Sequence, residues 1–114
     1  MKDIKIGMLV WTTNRIGQRV SGVVTKTSQV PVSKTHTMVY LVLDDGRELF
    51  VSPGHPTTDG RTIGDLAPGT VYDGALVIST ARVSYGENVT YDIVPSGGTG
   101  FYWANGILIA STLR

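Results

Sequence analysis

Cysteine is absent from the 114 residues. That excludes disulfide staples, thiolate-bound zinc and a Cys nucleophile anywhere in the chain as given, and it leaves the redox compartment open. Histidine is scarce, with His36 and His55 alone, so any proton transfer near neutral pH that needs an imidazole has two candidates. Charge of one sign is lacking too. Ten Lys and Arg against nine Asp and Glu give a formal net charge of +1, and their interspersion forms no basic stripe suited to nucleic acid or an anionic membrane. No apolar run approaches the roughly 20 residues of a membrane span, and residues 1–7 become polar too soon for a signal-peptide core. The chain reads as soluble.

Long stretches free of glycine and proline are also rare. With 14 Gly and 5 Pro, the segments longer than ten residues that escape both are Val32 to Asp45 and Ala75 to Tyr85. Each is rich in Val, Leu, Ile, Thr or Tyr, which fit a pleated surface better than a helix. Little or no helix is expected. The pairs Asp45-Gly46, Asp59-Gly60, Asp73-Gly74 and Asn105-Gly106 suit the positive φ of tight hairpin and bulge turns. A chain of this length forms one domain, here all-β.

In order, Ile4 to Thr12 reads as a short strand pair broken at Gly7. Arg19 to Thr27 reads as a strand with a bulge at Gly22, and Ser28 to Thr35 as a polar loop. Met38 to Leu43 and Arg47 to Val51 form a hairpin closed by Asp45-Gly46, and counting outward from that turn sets His36 opposite His55. Thr62 to Thr70 reads as compact loop. Strands follow at Ala75 to Tyr85, Val89 to Val94, Phe101 to Ala104 and Ile107 to Ala110, the last two joined at Asn105-Gly106. Trp11 is expected in the core, and Tyr91, Phe101, Tyr102 and Trp103 either alternate between core and rim or form a ligand shelf.

The stretch Ser52-Pro53-Gly54-His55-Pro56-Thr57-Thr58-Asp59-Gly60 concentrates small, polar and turn residues at the end of that hairpin. His55 is either a proton donor and acceptor there or a hydrogen-bonded part of a turn.

Four blocks in order resemble the Hint (Hedgehog/intein) superfamily. Tyr91-Asp92-Ile93-Val94, a short loop and Phe101-Tyr102-Trp103-Ala104-Asn105-Gly106-Ile107-Leu108-Ile109 are similar to its C-terminal end. Asp45-Gly46 with Leu49 to Pro56 resembles its block ending in Thr-x-x-His-Pro, with Ser52 at the usual Thr and His55 at the His. Ile4 to Val10 resembles its Gly-containing early strand, and Gly64 to Thr70 its Gly-Asp segment after the His. The resemblance implies a horseshoe of short, twisted antiparallel strands and hairpins with pseudo-twofold halves, spanning residues 1–114 without the family's first strand.

The activity it implies is self-processing in cis. A Cys or Ser on the flanking polypeptide attacks its own preceding carbonyl (an N–S or N–O acyl shift), helped by the block His and a Thr or Ser. The candidate catalytic residues are therefore His55, Ser52 and Asp92, the last at a position where many inteins keep an acid. Asp92 reads equally as a surface carboxylate. The chain departs from the pattern at both ends. Met1 lies three residues before Ile4, so the strand carrying the nucleophile is missing. Ala110-Ser111 stands at the terminal His-Asn, and Gly100 stands at another family His. Splicing by Asn cyclisation is excluded, and the domain reads as an autoprocessing relative that lacks its nucleophile. The competing class is a non-catalytic β scaffold or protein-binding part of a larger protein.

If His36 does face His55, the two imidazoles with Asp59 or Asp92 as an oxygen ligand make a divalent-metal site of zinc type, the set His36, His55 and Asp59 being the first choice. Otherwise no cofactor is expected. A Ser52–His55 hydrolytic dyad lacks a nameable third member or oxyanion hole.

Overall fold

A computed structural model describes residues 4–113. They form strands β1 (Leu9–Thr13), β2 (Arg19–Pro31), β3 (Thr37–Leu43), β4 (Glu48–Val51), β5 (Val71–Tyr72), β6 (Ala75–Ser84), β7 (Val89–Pro95), β8 (Phe101–Ala104) and β9 (Ile107–Ala110), with a single 3-10 turn at Ile63–Asp65. The fold is all-β, as expected, and no helix among the described residues is long and apolar enough to cross a membrane. Two antiparallel sheets have the orders β7-β2-β1-β8-β9 and β4-β3-β6-β5.

The halves share a plan. β2 is long, pairs through residues 19–23 with β1, then through residues 24–31 with β7. β6 likewise pairs at its start with β5 and onward with β3. Each crossover carries a bulge, between Val24 and Lys26 on one side and at Val42/Leu43 on the other. An extra residue bends its strand and raises the local twist, so each sheet curls and the two face each other around one core. That core joins Val39, Leu41, Leu43, Val51 and Val77 to Val24, Ile93, Tyr102, Ile107 and Ile109.

The turns explain the registers. Asp73 and Gly74 have φ of 49° and 78°, and Asn105 and Gly106 have 50° and 78°. Both pairs make two-residue hairpin loops, closing Tyr72↔Ala75 and Ala104↔Ile107 as their sequences require. Asp45-Gly46 behaves otherwise. Gly46 takes φ of 89° while Asp45 is not left-handed, and Leu43 pairs through backbone hydrogen bonds with both Arg47 and Gly46. This is a three-residue loop with a glycine bulge, so the ladder runs Val39↔Val51 and Tyr40↔Phe50. Its register is one residue from that of a two-residue turn, and the expected pairing of His36 with His55 is lost.

Other expectations need correction. Ser28 to Pro31 continue β2 instead of forming a loop, because this tail pairs only with β7 and both its faces meet solvent, leaving no apolar alternation to read. Gly22 lies in a continuous ladder. Its missing side chain makes room for Ser96 and Thr12, whose Oγ and Cγ2 would stand 2.8 and 2.9 Å from a Cβ there. Trp11 is half exposed, stacked with Trp103 against the Arg19 guanidinium at 4.6 and 5.0 Å from the ring centroids.

Arg47 ties three hairpin tips together. Its Nε donates to Asp45 Oδ2 at 2.7 Å, Nη1 to Asp73 Oδ2 at 2.7 Å and the Gly106 carbonyl at 2.9 Å, and Nη2 to the Asp73 carbonyl at 2.8 Å. Asp73 Oδ2 also accepts from the Leu108 amide at 3.1 Å. The planar fork suits this set of acceptors, and an ammonium does not. Arg47→Lys should therefore lower the unfolding free energy by about 1–2 kcal/mol, nearly as much as Arg47→Ala. Urea denaturation of the three proteins checks this, and full retention of stability by the Lys variant would contradict it.

Candidate functional site

β4 ends at Val51, and the next residues fold back on themselves. The His55 amide donates to the Ser52 carbonyl at 3.1 Å, the His55 carbonyl accepts from Ile63 at 2.9 Å, and the Pro53 carbonyl accepts from Gly64 at 2.8 Å. Glycine at position 64 eases that approach, since a Cβ would stand a tight 3.0 Å from the Pro53 carbonyl oxygen. The 3-10 turn supplying these donors is held by Asp65, which accepts from the Thr62 amide and hydroxyl at 3.0 and 2.9 Å. The end of β9 closes the other side, where the Ala110 amide donates to the Pro56 carbonyl at 3.2 Å. His55 is thus placed by backbone contacts on three sides and is 6% exposed.

Asp92, at the middle of β7, is also buried. Its Oδ1 accepts from the Ile93 amide at 2.8 Å and from the Tyr102 hydroxyl at 2.6 Å. Its Oδ2 accepts from the Thr112 amide at 2.7 Å and from the Thr112 hydroxyl. Tyr102, on β8, holds its oxygen 3.5 Å from His55 Nε2. Ser52 Oγ lies 3.1 Å from His36 Nε2, and the His36 ring packs edge-on against Tyr85.

The three candidate catalytic residues come together. Ser52, His55 and Asp92 line one cavity of about 280 Å³ with Tyr91 and Thr112, beside a second of about 220 Å³ bounded by Met38, Phe50 and Tyr85. The two lie between β4 and β7, each an edge strand of its sheet among the described residues. Ile4 lines a smaller cavity that also touches Asp92, so both ends of the described chain converge on this carboxylate.

The metal set does not assemble. Among the described residues no group of three His, Asp or Glu side chains could hold a metal ion. Two physical reasons account for it. The hairpin register leaves His36 on Ser52, and Asp59 is taken by Arg61, Nη2 to Oδ2 at 2.5 Å, on the surface. Bonds from Arg61 and then Thr57 hold the Asp59 carboxyl far below the usual carboxylate range.

Sequence reading missed Tyr102 and Thr112 as parts of the site. The sequence left Tyr102 either in a core-to-rim alternation or on a ligand shelf, and only the packing of β8 against β7 brings its hydroxyl to Asp92. Burial, then the charge and hydrogen bond of Asp92, push the Tyr102 hydroxyl well above its ordinary range. It therefore stays protonated and donates.

No protein-family model matches the sequence, and no curated protein does. Solved structures do. A consensus engineered intein with an atypical split site superposes with a TM-score of 0.69 at 21% identity, over 97% of this chain and 84% of that one. A DnaB intein from Synechocystis sp. PCC 6803 gives 0.74 at 16%, over 96% and 82%. The PabCDC21-1 intein gives 0.77 at 19%, over 94% and 71%. The chain has the Hint fold of inteins.

Burial lowers the pKa of His55 below 6.5, opposed by the charge of Asp92 and by the Ala110 backbone. The unfolded ring takes up its proton at the ordinary value, the folded ring at a lower pH. The stabilisation is thus complete above about pH 6.5 and is lost as pH falls through the folded midpoint. Unfolding free energy should drop as pH falls below about 6.5 toward the lower folded midpoint, by no more than about 1.4 kcal/mol per pH unit for this one proton. Urea titrations of the unmodified chain and His55→Gln should show a shallower fall in the variant.

Proposed function

We propose that this domain is a self-processing module that acts in cis on a peptide bond of its own polypeptide. The observation that carries the reading is the cavity between two edge strands, which gathers Ser52, His55 and Asp92. Free edges offer rows of amides and carbonyls, and an extended segment entering such a gap satisfies them as an added strand. Ile4 lines a cavity that also touches Asp92, which brings the upstream end of the described chain to the same carboxylate.

The chemistry follows from the side chains. A thiol or hydroxyl on the upstream segment attacks the carbonyl carbon of the peptide bond before it, an S–C or O–C bond forms, and the C–N bond breaks. The nucleophile's proton ends on the freed amine. His55 delivers a proton to that nitrogen as it departs and recovers one from the nucleophile. A mostly neutral, buried imidazole suits both halves of that exchange. Ser52, steadied by His36, donates to the carbonyl oxygen as it becomes an oxyanion. Ala110 and Ser111 carry no side-chain amide, so the proposed reaction stops at the acyl shift and cleavage of the resulting ester by an external nucleophile.

The test extends the chain upstream with a segment that ends in Cys at the junction. Added thiol should then release the upstream segment, read by intact mass, and His55→Ala should slow release by about a hundredfold or more. Ser52→Ala should slow it less. An unchanged mass in the extended chain under thiol would reject the reading and favour a non-catalytic β scaffold.

A further inference from the structure

Tyr102 is 1% exposed, and a phenylalanine ring would fill the same space, so the hydroxyl needs a separate reason. The four donors on Asp92 are Ile93 N, Tyr102 Oη, Thr112 N and Thr112 Oγ1. Its link to His55 therefore runs through the phenol. The two rings stand nearly perpendicular, at 82° with centroids 6.3 Å apart, and the imidazole meets the phenol oxygen through Nε2, at 3.5 Å.

We propose that Tyr102 is a positioning residue whose hydroxyl, donating to Asp92, offers its lone pair to Nε2 of His55 and so couples the carboxylate to the charge state of the imidazole. The phenolic proton is committed to the nearer partner, Asp92, at 2.6 Å against 3.5 Å for the ring nitrogen. What remains for Nε2 is an acceptor. A neutral imidazole can leave Nε2 bare, whereas an imidazolium must donate from it. The hydroxyl therefore favours the charged ring selectively, against the cost of burying that charge.

The other groups around the ring do not supply this. Tyr91 comes from β7 and Tyr85 from the end of β6, both lining the adjoining cavity. Ser52 stands on the ring's own loop with His36 behind it, and β9 contributes the Ala110 backbone. Asp92 is the charged side chain acting on His55. The use of the coupling in catalysis rests on the self-processing reading, but its existence does not.

The experiment titrates both histidines by NMR in the isotopically labelled chain, unmodified, Tyr102→Phe and Asp92→Asn, with His36 as internal control. Tyr102→Phe should lower the His55 midpoint by about half a unit or more, roughly a threefold loss of proton affinity, and leave His36 in place. Asp92→Asn should lower it as well, and the double variant should lose less than the sum of the two. A His55 midpoint that is unchanged or raised in Tyr102→Phe overturns the proposal. Should that variant fail to fold, an unchanged midpoint in Asp92→Asn overturns it equally.

In the chain extended upstream with Cys, Tyr102→Phe should shift the pH profile of cleavage to lower pH. An unshifted profile overturns the positioning role. An extended, unmodified chain that does not cleave overturns the self-processing reading instead, while the NMR titration decides the coupling independently.

Discussion

Asp92 buries a carboxylate in the wall between the two sheets, and a buried charge without partners would cost several kcal/mol. Its two oxygens accept four donors from β7, β8 and the segment after β9. The two from Thr112 also tie the segment after β9 to β7. The same carboxylate orients the Tyr102 hydroxyl that faces His55. One satisfied charge thus joins the closure of the fold to the electrostatics of the site, and among the described residues no buried side-chain polar atom is left without a partner.

The curl of the sheets makes the site possible. β2 and β6 are each too long for one partner, and their bulged crossovers bend them, so each sheet wraps the core and presents one edge strand to the other. Flat sheets would stack and close that gap. Curled ones leave a cleft with edge strands on both sides and the His55 loop at its floor. Arg47 works at the far end, where it gathers three hairpin tips with one guanidinium. The three tips are thereby tied to one another.

Much of this was legible without coordinates, for identifiable reasons. Asp73-Gly74 and Asn105-Gly106 demand two positive φ values in succession, and few structures other than a tight hairpin accept them. The buried strands, such as β3, β4 and β9, show it by apolar content. The block around His55 and the Tyr91-Asp92-Ile93 strand carried the resemblance whose fold the structure bears out. Where both faces of a strand meet solvent, as in the tail of β2, sequence patterning was silent. The tip of the β3–β4 hairpin misled because Asp45-Gly46 serves two turn types that differ by one residue, and that difference separates His36 from His55.

Local stereochemistry therefore determined the class of fold, the positions of its turns and the residues able to handle protons, because φ preferences and side-chain chemistry belong to each residue alone. Only the tertiary structure decided which of those residues meet. The joining of Asp92, Tyr102, His55 and Thr112, and the pairing of His36 with Ser52, depend on register and sheet curvature. Those are set by contacts between segments distant along the chain, and no single segment encodes them.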